Sequence, residues 1–119
     1  MLTQIGIFFR KLRLDKGEIM KEMADKLQVS SAFLSAVENG KKKMPSNWIE
    51  EIPKIYQFTN EQDYNFKKAI AETEEVIDIN LKNLSSVKRE FAFSLARKID
   101  TIDEEDIEKM LQKLREKEK

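Results

Sequence analysis

Lys41, Lys42 and Lys43 follow Glu38-Asn39-Gly40, a helix-ending sequence, and precede Pro45-Ser46-Asn47, a helix-starting one. Three ammonium groups at such a junction can hold phosphate oxygens by charge. The side chains of Ser46 and Asn47, with the free backbone donors of a new helix, can hydrogen-bond the same oxygens. Just upstream, a helix that Ser30 can cap carries the small residues Ser31, Ala32, Ser35 and Ala36. Leu34 and Val37, three apart, give that helix its opposite, apolar face. Hydroxyls that donate or accept and methyls that pack are suited to close contact with a ligand, not to breaking its bonds.

Catalysis has few candidates. The 119 residues include no His and no Cys, which removes imidazole and thiolate metal ligands, their nucleophile pairs and the commonest general base. Carboxylates cluster at Asp103-Glu104-Glu105-Asp106, but a helix start favours acidic residues through its dipole, and no nucleophile, phosphate loop or metal cluster accompanies them. The expectation is therefore no enzyme, no cofactor and no metal. The missing cysteines fit a reducing compartment. No apolar run approaches the roughly 20 residues needed to cross a bilayer, and Ile5-Gly6-Ile7-Phe8-Phe9 is too short and lacks a basic leader, so a cytoplasmic protein with no membrane partner is expected.

The elements that position these residues follow from apolar spacing. Ile5, Phe8, Phe9 and Leu12 predict a first helix stopped at Gly17, and Met20, Met23, Ala24 and Leu27 a second. The third is the capped helix from Ser30 to Glu38, and small Ala24 lets the second approach it closely. Trp48, Ile49, Ile52, Ile55 and Tyr56 define a fourth, which Pro53 should kink or stop near Ile52 because it cannot donate to Ile49. Thr59-Asn60-Glu61-Gln62 has capping-box spacing for a fifth helix reaching about Glu75, with Tyr64, Phe66 and Ile70 turned inward. Val76 to Leu81 is rich in β-branched residues and reads as a short strand, paired with a second copy or else serving as an extended linker. Two more helices follow, one striped by Val87, Phe91, Leu95 and Ile99, the other by Ile107, Met110, Leu111 and Leu114. Helices this short must pack on the head, on each other or on another subunit.

The fold expected is all-α: a five-helix domain over 1–75, then an extension over 76–119 with a short strand and two helices. Charge divides the same way. The whole chain balances 22 Lys and Arg against 22 Asp and Glu, yet the first 59 residues carry a net +3 and the rest a net −3. A basic half joined to an acidic one suits an anion-binding head and a part kept off the anion.

From about Ile5 to Phe58 the chain resembles the XRE/Cro/cI-type helix-turn-helix domain of phage repressors and bacterial regulators. The resemblance is carried by Arg13, Met23-Ala24, Val29-Ser30, Leu34, Val37, Glu38-Asn39-Gly40 and Pro45 at the family's spacing. Val76 to Leu114 is similar to an extension found in a subset of such regulators. The resemblance implies a λ-repressor-like domain that binds double-stranded DNA, as a homodimer on a palindromic operator with half-sites about one helical turn apart. An alternative is an antitoxin or phage-encoded adaptor whose head autoregulates its operon while the extension binds a protein partner.

By the same resemblance, Ser31, Ala32, Ser35 and Ala36 are the base readers. Phe33 beside them either packs inward or touches a thymine methyl or sugar. Ser30, Lys41, Lys42, Lys43, Ser46 and Asn47 hold phosphates. Dimer contacts fall on Val76, Ile77, Ile79, Leu81, Phe91 and Leu95. Readers this small shift specificity toward DNA shape and bridging water. Arg13 and Glu38 form a partly buried ion pair whose disruption costs about 3 to 5 kcal/mol. Two residues depart from the family pattern: Met20, where many relatives have Gln, and Gln28, where a Gly commonly accepts a positive φ. The second departure predicts a strained turn.

Overall fold

The computed structural model describes residues 1 to 117 and is all-α, with seven helices and no strand among them. The chain parts into two units, Met1–Ile77 and Asp78–Lys119. The first holds α1 (Gln4–Lys16), α2 (Met20–Lys26), α3 (Ser31–Glu38), α4 (Trp48–Ile55) and α5 (Asn60–Thr73). The second holds α6 (Ser86–Lys98) and α7 (Glu104–Glu116). No helix of the described residues is long and apolar enough to cross a membrane.

In the first unit each helix gives one face to a single core. Ile5, Phe9 and Leu12 come from α1, Met23 and Ala24 from α2, Leu34 and Val37 from α3, Trp48 and Ile52 from α4, and Phe66 and Ala69 from α5. Rings interlock inside it. Phe66 meets Phe8 at 5.4 Å and Phe58 at 5.7 Å, and Phe9 lies 6.1 Å from Trp48. Tyr64 departs from expectation: it is 39% exposed, and Ala69 occupies the core instead. Residues 64 and 66 lie about 200° apart around a helix, so only one can face inward, whereas 66, 69, 70 and 73 share a side.

One device closes all four leading helices. After each, the chain turns through a residue in the left-handed region, with φ of +65° at Gly17, +59° at Gln28, +76° at Gly40 and +52° at Gln57. The following amide reaches back to a carbonyl in the helix's last turn, as Val29 N does to Ala24 O and Phe58 N to Pro53 O. Gln28 thus has the positive φ that the resemblance implied, and Gln57 repeats it. A side chain in that conformation strains the turn by roughly 1 to 2 kcal/mol, which the buried residues on either side must offset.

Pro53 does not stop α4, which continues to Ile55. The ring removes only the donor to Ile49, while Tyr56 N still bonds Ile52 O at 3.0 Å and both Ile52 and Tyr56 are buried. The short strand expected at 76–81 is absent from the described residues, where the segment forms neither helix nor ladder. A strand needs a partner for its backbone groups, and the described residues contain no second one.

The second unit has well-formed helix ends and no core. Ser85 caps α6 by accepting from Lys88 N, and Asp103 caps α7 by accepting from Glu105 N. Neither helix has a buried residue. Val87, Phe91 and Ile99 of the predicted stripe are exposed, and Leu95 is half-buried.

Candidate functional site

The clearest constellation in the first unit is α3 with the loop that leaves it. Its axis is set from below by α1. Glu38, the last residue of α3, is 1% exposed, and its Oε1 accepts from Arg13 Nη2 at 3.1 Å while Oε2 takes the second guanidinium bond from Nη1. That pairing is bidentate and buried, the geometry in which a guanidinium matches a carboxylate. Met23 Sδ lies 3.3 Å from the same Nη1, so the cation is enclosed by α2 as well.

The backbone of Glu38 is held separately. Its carbonyl accepts from Thr3 N and from Thr3 Oγ1, both at 3.0 Å, while the same Thr3 hydroxyl caps α1 by accepting from Gly6 N. Gly6 belongs to this clamp because a Cβ there would stand 2.3 Å from Glu38 O. Thr73 adds the far end, accepting from Ile5 N at 3.0 Å and donating to Ala69 O at 2.8 Å. None of Thr3, Gly6 or Thr73 was singled out on sequence. A Thr immediately before the first apolar-periodic residue was a legible capping signal; the other two contacts join residues far apart in the chain.

Ser30 caps α3, its Oγ accepting from Phe33 N at 3.0 Å, which leaves the hydroxyl proton free to donate outward. Ser31 and Ala32 are exposed, and Ser35 and Ala36 are half-buried on the same side. Phe33 is half-buried, with its ring edge-on to Trp48 at 6.1 Å, so it braces α3 against α4.

The lysine loop is fastened to this face. Ala36 O accepts from Lys41 N at 2.8 Å and from Lys42 N at 3.2 Å, folding the chain back on the end of α3. The three lysine side chains are exposed, and none makes an ion pair within the described residues. Glu74 and Glu75 border an open groove of about 420 Å³ with these lysines.

The start of α4 differs from expectation. Trp48 N, Ile49 N and Glu50 N are already bonded to Pro45 O, Ser46 O and Asn47 O, so the first turn spends its own backbone donors. What it offers a ligand is the exposed Ser46 and the Asn47 side chain, which makes no capping bond.

A second polar cluster holds α2 and α4 in register. Glu18 accepts from Tyr56 Oη at 2.6 Å and pairs with Lys26, whose ammonium lies 4.9 Å over the Tyr56 ring. Burial alone would raise the Glu18 carboxyl, but hydrogen bonds from Lys26 and Tyr56, with the charges of Lys26 and Arg13, hold it below its ordinary 4.5. The Tyr56 phenol is pushed well above its ordinary value by burial and then by the carboxylate it serves. Sequence reasoning missed this cluster, because residues 18, 26 and 56 meet only once three helices have packed.

The dimer residues named on sequence are dispersed. Val76, Ile77, Ile79 and Phe91 are exposed, whereas Leu81 and Leu95 are half-buried. Comparison of the chain with profiles of protein families, with curated proteins and with solved structures returns no match.

Proposed function

We propose that the protein is a sequence-specific double-stranded-DNA-binding regulator of the XRE/Cro/cI helix-turn-helix type, acting in the cytoplasm as a homodimer on a palindromic operator. One observation carries the reading: the backbone of Lys41 and Lys42 is bonded to Ala36, so three ammonium groups with no ion pair among the described residues stand at the end of a partly exposed face of small side chains. In this reading α2 and α3 are the helix-turn-helix, and α3 enters the major groove. Ser31 and Ser35 offer hydroxyls to base edges, Ala32 and Ala36 offer methyls to thymine, and the short side chains allow a close approach. Lys41, Lys42 and Lys43, helped by the hydroxyls of Ser30 and Ser46 and the amide of Asn47, hold phosphates on either side. Phe33 serves the reading indirectly, by fixing the tilt of α3 against Trp48.

Selection of bound fragments from random duplex DNA, followed by salt titration of the best site, tests the proposal. A palindromic consensus is expected, with affinity falling steeply as salt rises. Replacing all three lysines by Ala in both protomers should reduce the salt slope by about 5, at roughly 0.9 for each of the six phosphates no longer neutralised. No enrichment at low salt overturns the reading. The alternative role, an antitoxin or adaptor, takes its support from the uncovered apolar residues of α6 and α7, and co-purification of a co-transcribed small protein would favour it.

A further inference from the structure

Two helices of 13 residues each, with nothing buried on either, are not self-sustaining in water. Val87, Phe91 and Ile99 along α6 and its cap, with Met110, Leu111 and Leu114 on α7, leave 37% to 76% of each residue exposed. With roughly 150 to 250 Å² for a fully covered aromatic side chain and less for each aliphatic one, such a set offers several hundred Å² per chain, against ~800 Å² per partner in a stable interface. Phe93 lies on the other side of α6, with the Arg97 guanidinium 5.7 Å over its ring, and stands apart from the stripe.

Charge decides what covers these stripes. Within its bounds α6 carries four basic residues and one acidic, and α7 carries five acidic and three basic. Two copies of α6 face to face would set positive against positive, and two copies of α7 negative against negative. Only α6 against a second chain's α7 brings opposite signs together, and a two-fold axis then makes that contact twice. We infer that a second copy of this chain covers the apolar stripes, with α6 of each protomer seated against α7 of the other. The inference rests on the homodimer part of the proposed function and not on DNA recognition.

The test uses the full chain without DNA, by sedimentation velocity at micromolar concentration, with Trp48 emission as the check that the first unit stays folded. The unaltered chain should be a dimer, and Phe91→Asp should raise the dimer dissociation constant about 30-fold or more. Reversing the sign of α6 with Lys88→Glu and Lys98→Glu, or of α7 with Glu104→Lys and Glu108→Lys, should weaken each variant as a homodimer. An equimolar mixture of the two variants should recover a dimer, since both of its α6–α7 contacts then pair opposite signs. A monomeric unaltered chain, a dimer indifferent to Phe91→Asp, or a mixture that fails to recover overturns the inference. Absence of an operator in the DNA selection, with this pattern intact, overturns only the regulator reading.

Discussion

The two units obey the same local rules and reach different ends. Thr3, Ser30 and Thr59 cap α1, α3 and α5 in one, Ser85 and Asp103 cap both helices of the other, and α5 and α7 both place acidic residues in the first turn. In Met1–Ile77 those helices enclose a core of 14 apolar residues around one buried ion pair, and in Asp78–Lys119 the same kind of helix encloses nothing. Capping and propensity therefore decide where a helix starts and stops, and burial decides whether it persists alone. The contrast can be measured in one sample: Trp48, the single tryptophan, reports only the first unit, while far-ultraviolet circular dichroism reports both.

The largest expected effect is on the ion pair. Arg13→Ala or Glu38→Ala leaves a buried charge without its partner and should cost about 3 to 5 kcal/mol in urea unfolding followed at Trp48. A loss under about 1 kcal/mol would mean that the first unit's core does not depend on its polar centre. Next in size, Phe33→Ala removes a half-buried ring from Trp48. About 2 kcal/mol of destabilisation and a shift in tryptophan emission are expected, because the ring is only partly enclosed. Unchanged stability with weakened operator binding would instead make Phe33 a contact residue.

Gln28→Gly and Gln57→Gly should each stabilise the first unit by about 1 kcal/mol, since glycine relieves the left-handed strain but enlarges the unfolded ensemble. A fall in melting temperature would show that the glutamine side chains contribute contacts outweighing the strain. The smallest effect concerns acid. Glu18 has a folded pKa below its ordinary 4.5, so its contribution is complete above that value and is lost as pH falls through the lower, folded one. Glu18→Gln should flatten the acid limb of a stability profile followed at Trp48 below pH 4.5 and leave circular dichroism from the second unit unmoved.

Much of the helical order was legible because the apolar period is strong and its punctuation conventional: Gly17 and Gly40 end helices, and Thr59 and Ser30 begin them. What escaped reading was long-range. Pro53 was read as a kink or a stop, and the stop failed because local hydrogen bonding was weighed without the burial of Ile52 and Tyr56. Val76 to Leu81 looked like a strand because β-branched residues fit a ladder, but a ladder needs a second strand that propensity cannot supply. Of the candidate site, the α3 face and the Arg13–Glu38 pair were readable from spacing and resemblance. The clamp of Thr3, Gly6 and Thr73 was not, since its bonds span 35 to 68 positions.

That clamp grips α3 by the carbonyl of Glu38, while Arg13 holds the Glu38 carboxylate and the core packs against the apolar face beneath. No hydrogen bond of the clamp passes through the side chains of Ser31, Ala32, Ser35 or Ala36. Those four positions form an interchangeable cassette on a fixed mount. Residues grafted at the exposed positions 31 and 32 would inherit the orientation of α3 without having to re-establish it.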